Sequence, residues 1–204
     1  MALKDYYVVS YENAVGIPRF FEAEWYPNLP ELNQTRENPE RSSFESSYAL
    51  KLKLEKFEID AVLEKYIVSS RFVSLCSRFE CEYIDVPLKV ELGSGEKLED
   101  FRFFYVLSRG SLLDVEKSKF VLTDKRLLRP DSERSGALPV YDRIDRFIVK
   151  ENIHEDLLFC EELKQAVCSS DFREAYISEK LVGLKFERID ENFVFDPWGG
   201  LVAG

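Results

Sequence analysis

The chain has 204 residues with 38 acidic and 28 basic side chains, a formal charge of −10, and a single histidine. This acidic balance repels phosphate and disfavours nucleic acid as a partner. No apolar run approaches the ~20 residues that span a bilayer, and acids early in "MALKDYYVVSYENAV" argue against a cleaved signal peptide. The expectation is a cytoplasmic protein that does not bind membranes. Sixteen Phe, ten Tyr and two Trp can build a substantial core.

In chain order, "DYYVVSYE" has the β-branched and aromatic content of a strand. Residues 25–47 hold Pro27, Pro30 and Pro39 among polar residues and predict a long surface loop. In "YALKLKLEKFEID", Leu50, Leu52 and Leu54 alternate with Lys51, Lys53 and Glu55, the period of a half-buried strand. Tyr66–Val68 reads as a short strand, and Ser69 or Ser70 as a helix cap. Phe72, Leu75, Cys76 and Phe79 then fall on one helical face. "CEYIDVPLKVEL" and "FRFFYVLS" predict strands joined by a turn at "GSGE", with Pro87 marking an edge or a break in the first.

Further strand pieces are expected around Phe120–Leu122 and Arg143–Val149, with a loop at "RPDSERSG". "LLFC" predicts a strand and Glu161–Cys168 a helix burying Leu163, Ala166 and Val167. Asp171 with Glu174 resembles a capping box for a second helix. "LVGLKFERI" alternates as a last strand, and Pro197, Gly199 and Gly200 give the tail turn chemistry around Trp198. "YIVSSRFVSLC" and "LLFCEELKQAVC" share a strand-then-helix pattern without the identity a repeat requires. The fold class expected is α+β, with mixed or mainly antiparallel sheets and a few short helices on one side. Residues 1–204 form a single domain in this reading, with a short tail at about 191–204.

Reactive groups are few. Cys76, Cys81, Cys160 and Cys168 form no CxxC pair, and His154 has no ligand partner at metal-binding spacing, so no metal or cofactor is expected. Any nucleophilic triad would need His154, which sits among loop-forming neighbours, and no GxSxG elbow exists. "GSGE" lacks the helix a phosphate loop opens. Carboxylate pairs (Asp142 with Asp145, Asp114 with Glu116, Glu161 with Glu162) fit a solvated face. A two-carboxylate hydrolase is the enzyme reading they leave open.

Charge is unevenly placed: residues 103–150 hold 7 acids and 10 bases, residues 151–204 hold 12 acids and 5 bases. Glu151, Glu155, Asp156, Glu161 and Glu162 crowd together without a base between them. Such a run is either solvated surface or a face retained for a basic partner.

"FYVLSRGSLLDVEKSKF" with Asp114 and Ser118, "IDRFIVKENIHEDLLFCEELKQAV" and the glycine-containing "KLVGLKFERI" follow one another in a recognisable order. With "YYVVSYE" and "YIVSSRFVSL", this order resembles an immunity protein of bacterial polymorphic-toxin systems, of a class first catalogued as a proteobacterial domain of unknown function. The likeness covers roughly residues 4–190 except the proline-containing loop. "SSDFREAYISEK" departs from it, being longer than the short turn expected before the last strand. The resemblance implies an α+β protein, not an enzyme, that binds and neutralises a cognate toxin and carries no catalytic residues. On that footing the five acids are candidate partner-binding residues. An interaction or regulatory module without a toxin partner is the alternative, and the oligomeric state stays open.

Overall fold

The structure is a computed structural model and describes residues 4–12, 21–32, 38–124, 126, 128, 139–197 and 199. The expected loop at "RPDSERSG" lies outside them, as do Trp198 and Gly200. The described strands, in chain order, are β1 (Tyr6–Tyr11), β2 (Ala23–Tyr26), β3 (Tyr48–Leu52), β4 (Ala61–Val62), β5 (Ile67–Ser69), β6 (Tyr83–Glu91), β7 (Lys97–Val106), β8 (Arg109–Gly110), β9 (Lys119–Leu122), β10 (Tyr141–Arg146), β11 (Leu157–Cys160), β12 (Gln165–Ser169) and β13 (Leu184–Arg188). Helix α1 (Ser70–Cys76) follows β5, and α2 (Ser170–Ser178) follows β12. The protein is α+β.

Six strands form one sheet in the order β2-β3-β6-β7-β5-β4, and five form another in the order β13-β1-β12-β11-β8. β9 and β10 pair separately. Alternation along the strands divides the core into layers. On β7, Phe103 and Tyr105 face a cluster with Tyr48, Leu50 and Leu52, while Phe104 and Val106 face a middle cluster. On β1, Val9 joins that middle cluster, and Tyr6 and Val8 face a third one that the β9–β10 pair covers through Tyr141 and Ile144. Both helices bury their apolar faces in the middle cluster, through Phe72, Leu75 and Cys76 of α1 and Phe172 and Tyr176 of α2.

Several expectations need correction. Glu161–Cys168 is not a helix: Glu161–Lys164 is a turn, and Gln165–Ser169 is β12, paired with both β11 and β1. Eight residues form a marginal helix at best, and two flanking strands offer the backbone a full set of partners. The cap of α2 is Ser169, whose hydroxyl accepts the Phe172 N–H, so Asp171 sits in the first turn. The second helix expected here is present as α2, and it accounts for "SSDFREAYISEK" being longer than the turn the resemblance implies.

Pro87 lies inside the six-stranded sheet, but pairing of β6 with β3 begins only at Leu88. Its missing donor therefore costs no ladder bond on that side. Trp25 and Tyr26 belong to β2 rather than to the surface loop, and Phe44 within the loop packs on Phe103 at 5.3 Å. The start of the tail is built into the fold, because Phe195 exchanges backbone hydrogen bonds of 2.8 and 3.0 Å with Ile144.

A repeat does exist, with a different pairing from the one the sequence suggests. The counterpart of "YIVSSRF" is "QAVCSSDF". Asp60 precedes the first hairpin (β4–β5) and Asp156 the second (β11–β12), and each is 5% exposed. The Asp60 carboxylate accepts the Ser69 hydroxyl at 2.7 Å, and that of Asp156 the Ser169 hydroxyl at 2.6 Å. Each serine oxygen in turn accepts a helix N–H, from Phe72 or Phe172, at 3.2 Å.

The second carboxylate oxygen of each aspartate reaches across to the other half. That of Asp60 accepts the Val182 N–H just past α2 at 3.0 Å, and that of Asp156 accepts the Glu80 N–H just past α1 at 3.1 Å. Strand pairing is exchanged too. β7, which contains "DFRF" from Asp100, pairs with β5, while β1, which follows Asp5 in "DYYV", pairs with β12. Gly183, in the link from α2 to β13, has φ +115°. A Cβ there would lie 2.3 Å from the Ala61 carbonyl oxygen, so the crossing requires glycine.

Two predictions follow from this packing. Phe72 is fully buried, while Phe79 lies past the end of α1, half-buried against Phe172. Phe72→Ala should cost ~3–5 kcal/mol, and Phe79→Ala roughly half that or less, as read by urea unfolding.

The second concerns pH. Burial pushes the Asp156 carboxyl up, but hydrogen bonds from Lys4, Ser169 and Glu80 outweigh it, and the net shift is downward. A lowered folded-state pKa contributes stability that is full above the unfolded value near ~4 and is lost as pH falls through the folded value. Asp156→Asn should cost ~2–3 kcal/mol at neutral pH. It should also flatten the loss of stability between about pH 4 and pH 2, measured by urea unfolding across that range.

Candidate functional site

The five acids of the 151–162 run do not share one exposed face. Glu151 is exposed and paired with Lys117 at 3.0 Å. Glu155 is half-buried, and its carboxylate accepts the His154 N–H. Asp156 is the buried aspartate of the second hairpin, with Lys4 at 2.8 Å from its carboxylate. Glu161 pairs with Arg109 at 3.1 Å, both largely enclosed. Glu162 is 5% exposed, and its carboxylate accepts the Leu112 N–H at 3.1 Å and the Cys160 thiol at 3.2 Å. The expectation of free surface acids is thus corrected for Asp156 and Glu162. Each meets donors from elsewhere in the fold, Lys4 and Glu80 for Asp156 and Leu112 for Glu162, which are distant in sequence.

The other polar groups are similarly engaged. Burial, assisted by nearby acids, raises the pKa of the Cys160 and Cys81 thiols, the latter to about 12. Burial also raises Cys76 and Cys168, so all four cysteines are protonated thiols at neutral pH. Asp114 accepts the Glu116 and Lys117 N–H groups in a turn. Asp142 accepts the Thr123 hydroxyl at 2.7 Å, and Asp145 pairs with Arg143. His154 is exposed. Among the described residues, no group of three or more His, Cys, Asp or Glu side chains is placed to hold a metal ion. No helix among them is long and apolar enough to cross a membrane.

Among the described residues, besides a cleft of about 290 Å³ beside Lys4, Phe147 and Ile189, two concave features stand at β2 and between the two halves. The larger is an open groove of about 570 Å³ along β2, at the end of the six-stranded sheet. Phe21, Trp25 and Tyr66 supply aromatic surface, and Glu22, Glu24 and Glu64 supply acid. Trp25 is pinned edge-on against Tyr48 at 6.0 Å and Phe103 at 5.9 Å. Tyr26 at the end of β2 is 51% exposed, and its hydroxyl donates to Glu24 at 3.1 Å. Lys65 lies over the Phe21 ring at 5.7 Å, and Lys53 pairs with Glu22. β2 pairs only with β3 among the described strands, so its outer edge is met by no other described strand.

The smaller feature is a pocket of about 250 Å³ where the two halves meet. β1 and β7, the exchanged strands, form its walls with Val9, Phe104 and Val106. The two hairpin turns contribute Glu64 from the first and Lys164 from the second.

None of these residues was singled out from the sequence. A signal for the groove was present in "FEAEWY", which alternates Phe21, Ala23 and Trp25 with Glu22 and Glu24. The prolines that follow drew its end, Trp25 and Tyr26, into the loop. Lys164 carried no signal, because the expected helix hid the turn. Among known proteins, no family model matches the chain and no curated protein does.

The placement of the acids is testable by charge reversal. Glu162→Lys puts a cation where the Leu112 N–H needs an acceptor and should cost roughly 3–5 kcal/mol. Glu151→Lys, at an exposed site, should stay within ~0.5 kcal/mol of the parent. Thermal melts of the two variants compare them directly.

Proposed function

We propose that this protein is a cytoplasmic, non-catalytic immunity protein that binds and neutralises a cognate bacterial toxin, and that the β2 groove is where the toxin docks. The observation that carries the reading is the groove itself, an aromatic floor set beside three glutamates at the end of the sheet. Rigid Trp and Tyr side chains in partly enclosed settings are the usual anchors of protein interfaces. Glutamates around them favour a basic partner and speed its approach. The outer edge of β2, met by no other described strand, adds main-chain groups that an extended segment of the partner can bond. The order of strand-forming stretches that resembles toxin-immunity proteins supports the same reading. The net charge of −10 argues in the same direction, since toxins that attack nucleic acid present basic surfaces an acidic inhibitor can cover.

Neutralisation needs no reactive group. Blocking access requires shape, charge and a few buried anchors, and the groove supplies each.

The test begins with a pulldown from the native strain, using the full chain as bait. The captured protein is then expressed in a sensitive host with and without this chain. Growth arrest relieved by co-expression is the expected result; a captured protein that is harmless, or harmful regardless of co-expression, removes the toxin reading. Docking at β2 is tested with that toxin in hand. Glu22→Lys with Glu24→Lys should slow association by about tenfold at low salt and weaken its salt dependence. Tyr26→Ala, at an exposed ring outside the core, should speed dissociation by about tenfold or more. Unchanged kinetics in the folded variants would place the interface elsewhere.

A further inference from the structure

The pocket between the halves shares Glu64 with the β2 groove but has a chemistry of its own. Val9, Phe104, Val106 and Phe159 are buried residues on its walls and give it an apolar side beside the polar Ser10 and Gln165. Two charged side chains line it, Glu64 from the first hairpin turn and Lys164 from the second, and no ion pair joins them. The Glu64 carboxylate accepts the Tyr11 N–H at 3.0 Å, which fixes its position at the pocket edge. Lys164 is half-buried; its backbone N–H donates to the Cys160 carbonyl at 2.9 Å, and its ammonium has no hydrogen bond or ion pair among the described residues. Its backbone holds φ 55°, a region where a glycine or asparagine would be at less cost. Burial lowers its pKa against the opposing pull of Glu161 and Glu162, as expected for an ammonium without a contact partner.

The ligand class follows by matching charges. A simple anion on Lys164 would meet the charge of Glu64, and a simple cation on Glu64 would meet Lys164. A neutral apolar molecule would leave a partly desolvated ammonium unpaired. A molecule carrying both charges and a short apolar group satisfies every wall. The volume of about 250 Å³ lies below the ~300–1,000 Å³ of sites for drug-sized ligands, so the molecule is small.

We propose that this pocket binds a free α-amino acid with an apolar side chain, its carboxylate on Lys164, its ammonium on Glu64 and its side chain against Phe104, Val106 and Phe159. The strand exchange gives such a ligand a structural consequence, since it would touch both exchanged strands and both hairpin turns at once.

The probes are L-leucine, L-valine and L-phenylalanine, with leucinamide and N-acetyl-L-leucine as arms lacking one charge each. Calorimetry and amide NMR of the whole chain should show saturable binding of at least one free amino acid, with shifts at Val9, Phe104 and Ala166. If leucine is the ligand, leucinamide and N-acetyl-L-leucine should each bind at least tenfold more weakly. Lys164→Gln should abolish the preference for leucine over leucinamide, and Glu64→Gln the preference over N-acetyl-L-leucine. No saturable binding of any of the three amino acids overturns the proposal. So does binding of the one-charge analogues as tight as that of leucine, a result that does not depend on either variant folding.

Discussion

Two buried carboxylates hold the molecule together. A carboxylate taken out of water must have its oxygens met by donors, and Asp60 and Asp156 find theirs in the same way. Each takes one hydroxyl from the serine that caps its own helix and one N–H from the chain leaving the other helix. Their backbones reinforce the link: the Asp60 N–H donates to the Val182 carbonyl at 2.8 Å, and the Asp156 N–H to the Glu80 carbonyl at 2.7 Å. The start of each hairpin is thereby tied to the end of the opposite helix. With those four points fixed, the packing of Phe72 on Phe172 and Tyr176 in the middle cluster follows.

The exchange of strands makes this tie cooperative. β1 completes the sheet of the second hairpin, and β7 completes that of the first. Neither half can therefore cover its own hairpin with its own leading strand, and loss of one closure exposes backbone groups in both. The near-symmetry also explains where the two halves are free to differ. The tied positions carry Asp, Ser and Phe in both copies, whereas the hairpin strands differ in length. Nine residues separate Asp60 from Ser69, and 13 separate Asp156 from Ser169. Tyr66 and Lys164, the left-handed residues that close the hairpin turns, are chemically unlike. Tyr66 faces the β2 groove and Lys164 the central pocket, so the candidate sites occupy the part of each repeat that the clasp leaves unconstrained.

Most strands were legible in the sequence because a half-buried strand prints its environment as alternation: Tyr48, Leu50 and Leu52 are buried and Lys51 is exposed. A serine cap at 69 or 70 was legible because capping is local, and the structure places it at Ser69. The helix expected at Glu161–Cys168 failed because three apolar residues in eight positions fit either period, and only the distant β1 decides between them. The repeat was hidden for a similar reason. Its signature is the short string Ser-Ser-x-Phe, carried by hairpins of unequal length, while the exchanged strands leave each copy's leading segment far from its hairpin. The acid run misled most. An acid's exposure depends on what meets it, and Asp156 is met by Lys4, 152 residues away in sequence.

This sorting of acids changes how the net charge bears on recognition. Asp60, Asp156 and Glu162 are bound to internal donors, so their charge contributes to the long-range field but offers no contact to a partner. Screening confines the effect of an exposed charge to about 8 Å at physiological salt, so local acids decide how a partner is oriented. At the β2 groove those are Glu24 and Glu64, with Glu22 partly offset by Lys53. So few charges favour approach without supplying most of the affinity. That falls to the aromatic surface, and there Trp25 has an advantage. Held between Tyr48 and Phe103 before any partner arrives, it loses little rotamer freedom on binding. A surface with preset anchors and modest charge can select a partner through fit as well as through field.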